Sequence, residues 1–275
     1  MILDMYSKCH FYLYMIKAIF FDIDGTLVSF KTHQIPQSAV DAIVDAKDRG
    51  IRIYISTGRP RSLITNIKAI EQWVDGYITA NGALCFSGKQ IISCRPIPYE
   101  DVLTMLRFSD KMGFPCMVVG ENDLVMYNSN DSSDRIFHQM LNVQNLRDDN
   151  NVAPILQQRI LQLTPVISKE EELKIMPYMK GSVASRWYPD FADITAMDAC
   201  KGNGFLDLIA YEGIAPQATM AFGDGGNDVS IIKEAGIGVA MGDANEILKQ
   251  CADYITTSVD EDGIYKALQR FVFAA

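Results

Sequence analysis

The run FDIDGTL (21–27) sets two carboxylates, Asp22 and Asp24, one residue apart directly after an apolar stretch, with Gly25 behind them to allow a sharp turn. In an open parallel sheet, the carboxyl end of a strand is where ligands bind. Asp-x-Asp alone also describes a solvated loop, so its weight depends on its companions. STGRP (56–60) is one. Ser56 and Thr57 offer hydroxyls, Gly58 lets a ligand approach the backbone and Arg59 adds a guanidinium, a set suited to phosphate. A helix N-cap at Ser56 or Thr57 is the competing reading. GDGGND (223–228) is another. Asp224, Asp228 and the Asn227 amide on a glycine-rich turn suit a hard divalent cation such as Mg2+, which takes oxygen ligands and keeps waters. The distal glutamate of an EF-hand calcium loop is absent. Lys201 precedes the last run of strands and helices, and taken alone it reads as a solvated surface lysine.

These motifs constrain one another. If Asp22, Asp24, Asp224 and Asp228 meet at one sheet edge, each raises the pKa of the next, and a phosphate dianion worsens the conflict. A divalent metal together with Lys201 resolves it, neutralising the cluster and attracting the substrate. Other chemistries lack their signatures. There is no Gly-x-Ser-x-Gly elbow, no GxxxxGK loop and no GxGxxG after a strand, and GIGVAMG (236–242) has the wrong glycine spacing for a dinucleotide. Cysteines at 9, 85, 94, 116, 200 and 251 and histidines at 10, 33 and 138 are too scattered for zinc.

The elements that must carry these residues are legible as periodicity. KAIFF (17–21), IRIYIS (51–56), GYITA (76–80), TMAF (219–222), IGVAM (237–241) and DYIT (253–256) read as strands, with Ile16–Phe21 buried. Helices are expected over Pro36–Arg49, Arg61–Ile70, Val229–Glu234, Ala244–Cys251 and Gly263–Phe271. Apolar strands alternating with helices mean a parallel sheet covered on both faces. The middle differs, with polar loops at NSNDSSD (128–134) and 142–151 and short strands such as CMVV (116–119). It reads as an inserted α+β domain over 84–192, with 1–83 and 193–275 forming the split core.

The 275 residues carry 25 basic and 34 acidic side chains, a net charge of −9, which argues against nucleic acid or an anionic membrane as partner. A chain of this length buries roughly three quarters of its unfolded surface and needs no disulfide. Free, buried thiols and a cytoplasmic location are therefore expected. FYLYMIKAIFF (11–21) is too short to span a bilayer, and cleavage after it would cut into Asp22. Residues 1–14 read as an appendage, with Met15 an alternative start.

FDIDGTL, STGR, a lysine and GDGGND, in this order, resemble the haloacid dehalogenase superfamily, and more narrowly its Cof-like, type IIB phosphatases. The fold this implies is an α/β, Rossmann-like parallel-sheet core with an inserted α+β cap. TANGA (79–83) is similar to the segment leading into that cap. The resemblance makes Asp22 the nucleophile and Asp24 the general acid and base. It puts the phosphoryl-binding hydroxyl on Thr57, with Ser56 second, and makes Lys201 the cation that steadies Asp22 and phosphate. Mg2+ would be held by Asp22, the Asp24 carbonyl and Asp224, with Asp228 supporting the metal site. Asn227 would bind phosphate or orient Lys201, and Arg59 would reach phosphate or the cap side of the substrate. AMDACKGNG (196–204) is an unusual lead-in to the lysine.

The expected activity is Mg2+-dependent hydrolysis of small phosphomonoesters, sugar phosphates with hexose phosphates first, through an aspartyl phosphate. The cap would exclude bulk water and phosphoproteins. Arg186, Trp187 and Tyr188 are the richest candidates to clasp a sugar, against the competing reading that they pack within the cap or its hinge. A phosphotransferase or phosphomutase would use the same intermediate. A non-catalytic phosphometabolite-binding protein would have no need of Asp24. No amphipathic seam marks a dimer interface, so a monomer or weak homodimer is expected.

Overall fold

In the computed structural model, residues 15–140, 143 and 146–274 are described; the expected appendage, 1–14, lies outside them. The strands are β1 (Ala18–Phe21), β2 (Arg52–Ser56), β3 (Gly76–Thr79), β4 (Leu84–Ser87), β5 (Gln90–Cys94), β6 (Cys116–Gly120), β7 (Leu124–Tyr127), β8 (Arg147–Asp148), β9 (Ile160–Pro165), β10 (Ser182–Tyr188), β11 (Phe191–Ala196), β12 (Thr219–Gly223), β13 (Ile237–Ala240) and β14 (Tyr254–Ile255). They form two sheets, one of eight strands in the order β14-β13-β12-β1-β2-β3-β4-β5 and one of six in the order β10-β11-β9-β6-β7-β8. The helices are α1 (Gln37–Asp48), α2 (Tyr99–Met112), the single turn α3 (Asp131–Ser133), α4 (Lys169–Ile175), α5 (Lys201–Glu212), α6 (Val229–Glu234), α7 (Glu246–Cys251) and α8 (Gly263–Leu268).

From β14 to β3 every pairing in the larger sheet is parallel, as the buried apolar runs require. The chain leaves β1 toward β2 on one side and returns through β12 on the other, so a topological switch point lies between β1 and β12. Phe21 pairs with Phe222, which delivers Asp22 and the turn after Gly223 side by side. Aromatic packing fixes this edge. Phe20 stacks on Tyr54 at 4.8 Å, Phe21 on Phe222 at 5.0 Å, and Phe205 of α5 meets Phe20 edge-on at 4.8 Å. Phe205 lies one helical turn after Lys201 and is fully buried, so its packing also sets where Lys201 enters the site.

The cap sheet carries α2 and α4 on one face, where Val102, Met105 and Ile175 pack on Cys116, Leu163 and Ile194. On its other face Met117, Val119 and Phe191 pack with Leu63 of the core. Buried Gln162, Thr164, Asp193 and Thr195 have the strand parity of this second face.

Four expectations are corrected. Strands β4 and β5 extend the core sheet by antiparallel pairing, and β11 lies in the cap sheet, so by sheet membership the crossings fall after 94 and after 196 rather than at 83/84 and 192/193. The helix expected over Arg61–Ile70 is a single 3-10 turn, Arg61–Leu63, because Ile64 is extended (φ −88°, ψ 93°) and Thr65 and Asn66 are poor helix formers. NSNDSSD is not simply a loop: the Asn130 side chain accepts from the Ser132 N–H and caps α3, which widens into turns through Met140. The five described cysteines are free, but only Cys85 and Cys116 are buried; Cys94, Cys200 and Cys251 are half-buried at element ends. No helix among the described residues is long and apolar enough to cross a membrane.

Candidate active site

Asp22 follows β1, Asp224 follows β12 and Lys201 opens α5, and all three converge at the switch point. Carboxylate oxygens of Asp22, Asp224 and Asp228 lie within 4.8 Å of one another. The fully buried Lys201 Nζ donates to Asp22 Oδ1 at 2.7 Å and to Asp228 Oδ1 at 2.6 Å. A buried lysine is tolerated when paired in this way. Burial works against its charge, but Asp22 and Asp228 outweigh it and hold the ammonium above its ordinary pKa. The other Asp228 oxygen accepts from the backbone N–H groups of Asp224 (3.2 Å) and Gly225 (3.0 Å). Asp228 thus fixes the turn and Lys201 with both oxygens committed, a supporting position for a metal site.

The close approach of the two loops depends on Gly25. Its φ is +83°, and a Cβ there would lie 2.4 Å from Asp224 Oδ2. Thr26 Oγ1 makes a long contact, 3.4 Å, to Asp224 Oδ1. Arg59 forks onto Asp24, Nε to Oδ2 at 2.6 Å and Nη2 to Oδ1 at 2.7 Å, while Nη1 donates to the Leu63 carbonyl. The Asp24 side chain is therefore engaged by Arg59, leaving its backbone carbonyl as the group that could face a metal. Thr57 is buried, and its Oγ1 accepts from the Arg59 N–H at 3.1 Å. Ser56 Oγ is buried without a partner.

Burial pushes the Asp22 carboxyl well up from its ordinary value; Lys201 opposes this, and Asp228, Asp224 and Asp24 add to it. Asp224 is pushed up to about 7, by burial first and then by Asp228, with Lys201 opposing. Four carboxylates here meet two cations, Lys201 and Arg59. This oxygen-rich, under-neutralised set fits a hard divalent cation.

Arg186 is not brought to this cluster. Its Nε donates to the buried Glu172 at 2.9 Å and its Nη1 to the Pro189 carbonyl at 2.6 Å, which ties it inside the cap. Tyr188 stacks on Phe191 at 5.4 Å, while Trp187 is 62% exposed and donates to Asp193 Oδ2 at 3.2 Å. Asn227 reaches the site edge, where its Nδ2 donates to Asn81 Oδ1 at 3.0 Å. The sequence reading missed Asn81 as a site residue. Its signal was the Asn-Gly pair at a strand end, which marks a positive-φ turn.

The fold and this edge define a mainly parallel α/β core interrupted by a second, cap sheet, with an acidic cluster and a buried lysine at its switch point. A family model of haloacid dehalogenase-like hydrolases matches residues 19–268. The chain belongs to that family, in its Cof-like, subclass IIB branch, and is a phosphoric monoester hydrolase. The structure of a subclass IIB sugar phosphatase superposes with a TM-score of 0.86 at 44% identity, covering 93% of this chain and 98% of that one. A phosphatase of the same superfamily from Bacteroides thetaiotaomicron gives 0.84 at 34% identity, covering 94% and 95%. The 5-amino-6-(5-phospho-D-ribitylamino)uracil phosphatase YcsE of Bacillus subtilis is 28% identical over 261 residues, 94% of this chain and 96% of its own length. The match to a Streptococcus pyogenes protein named for phosphatase and peptidyl-prolyl cis-trans isomerase activities spans 97% of this chain but only 56% of that protein.

Proposed function

We propose that the protein is a Mg2+-dependent phosphatase of small phosphomonoesters, sugar phosphates with hexose phosphates first, acting through a covalent aspartyl phosphate on Asp22. The observation that carries this is the buried Lys201 ammonium bridging Asp22 and Asp228, with Asp224 beside them. A purely structural lysine would need one buried carboxylate; here it serves a cluster still short of positive charge.

An Asp22 oxygen attacks phosphorus, forming an acyl phosphate (a mixed anhydride) on Asp22 as the bond to the leaving oxygen breaks. Asp24 gives that oxygen its proton, and one of the two Arg59 bonds opens when Asp24 carries the proton. Asp24 then takes a proton from water as the hydroxide oxygen attacks phosphorus, and phosphate leaves with Asp22 restored. Lys201 balances the charge on Asp22 throughout, and the Thr57 hydroxyl, Gly58 and Asn227 line the place for the phosphoryl oxygens. Mg2+, held by Asp22, Asp224 and the Asp24 carbonyl, would neutralise charge on the transferring group. A sugar phosphatase among the structural relatives supports a sugar as the esterified group.

The test is phosphate release from a panel of phosphorylated metabolites. Hydrolysis with Mg2+, its loss in EDTA and recovery on adding Mg2+, and poor replacement by Ca2+ are expected. Asp22→Asn should abolish turnover with the fold intact. Substantial residual turnover in that variant would refute the nucleophile.

A further inference from the structure

The turn Ala80–Gly82 takes no part in the chemistry above, yet it holds three successive residues at positive φ: Ala80 at 48°, Asn81 at 54° and Gly82 at 91°. Non-glycine residues stay there only when their surroundings hold them, and such strain clusters at functional sites. The surroundings are the motif loops. Ala80 N–H donates to the Arg59 carbonyl at 2.9 Å and Asn81 N–H to the Thr57 carbonyl at 3.1 Å. The buried Asn81 amide lies over Gly58, where a Cβ would come 3.1 Å from its Oδ1, and that oxygen accepts from Asn227. Gly82 backs onto the residue before Lys201, where a Cβ would lie 2.2 Å from the Cys200 carbonyl oxygen. One strained turn thus touches the Thr57–Arg59 loop, the Asn227 turn and the start of α5.

We propose that Asn81 is a positioning residue: its amide locks the exposed Asn227 side chain to the Thr57–Arg59 loop at the spacing a phosphoryl group needs. This rests on the reading that these residues receive phosphate. Without the amide, Asn227 keeps rotamer freedom that must be given up on binding.

Asn81→Gly removes the amide while accepting positive φ at no steric cost. The readout is calorimetric binding of inorganic phosphate with Mg2+, beside Mg2+ binding, melting temperature and hydrolysis. Asn81→Gly should weaken phosphate binding about tenfold, the worth of one net hydrogen bond, with Mg2+ affinity unchanged. Asn227→Ala should show the same loss, and the double variant no more than either alone. Wild-type phosphate affinity in Asn81→Gly, or a full second loss in the double variant, would overturn the proposal. Absence of hydrolysis by the wild-type protein would instead overturn the functional reading, because the phosphate-binding comparison is made independently of turnover.

Discussion

Asp224→Asn is expected to stabilise the metal-free protein at pH 8 while ending Mg2+ binding. The Asp224 carboxyl is pushed up to about 7 in the folded chain against an ordinary 3.8, by its partial burial first and then by Asp228. Between these values the unfolded chain has already released its proton and the folded chain has not. Folding stability therefore falls as pH rises from about 4, and the penalty is complete above about 7. The shift of about three units is worth at most ~4 kcal/mol. Asp224 is only half-buried, so water screens part of it and ~2 kcal/mol is the working figure. For a chain of this size that is a rise of about 4–8 °C in melting temperature. The assay is thermal unfolding of wild type and Asp224→Asn in EDTA across pH 4–8. The variant should melt higher at pH 8, and the gap should close toward pH 4. Millimolar Mg2+ should reverse the order, since only the wild type gains from binding the ion. A variant that melts at or below wild type in EDTA at pH 8, or a gap that persists at pH 4, refutes the electrostatic account of the cluster.

Lys201→Met should end turnover and, in EDTA at pH 8, destabilise the fold by about 3–5 kcal/mol in denaturant titrations, because it leaves Asp22 and Asp228 buried without the ammonium. Arg186→Ala should lower stability by about 1–3 kcal/mol, through the loss of a partner for buried Glu172, and leave KM for the best ester unchanged. A raised KM at unchanged stability would restore Arg186 to substrate binding.

The motifs that meet at the sheet edge were readable because each is local. Asp22, Asp24 and Gly25, or Asp224 to Asp228, follow a buried strand directly, and period-two or unbroken apolar runs identify such strands without tertiary help. Mutual repulsion among the four aspartates was enough to require compensating cations. The helix over Arg61–Ile70 failed for the opposite reason: Ile64, Ile67 and Ile70 have helical spacing, but their burial is satisfied by an irregular segment packed on the core sheet. For Arg186 the sequence left two readings open, because composition cannot reveal that Glu172, fourteen positions earlier, pairs with its guanidinium.

The order and types of the side chains by themselves determined the class of core and brought out a set of carboxylates that calls for compensating positive charge, since these follow from strand ends and charge; the roles proposed for Asp22 and Lys201 rest on the resemblance of the motifs. Only the folded chain decided who partners whom: Arg59 forked on Asp24, Asp228 spent on Lys201 and two backbone amides, Asn81 joined to Asn227. Such pairings join residues up to about two hundred positions apart, and they are fixed by strand register and by aromatic contacts such as Phe205 on Phe20. Local sequence carries no record of that register, because it is the sum of packing over the whole sheet.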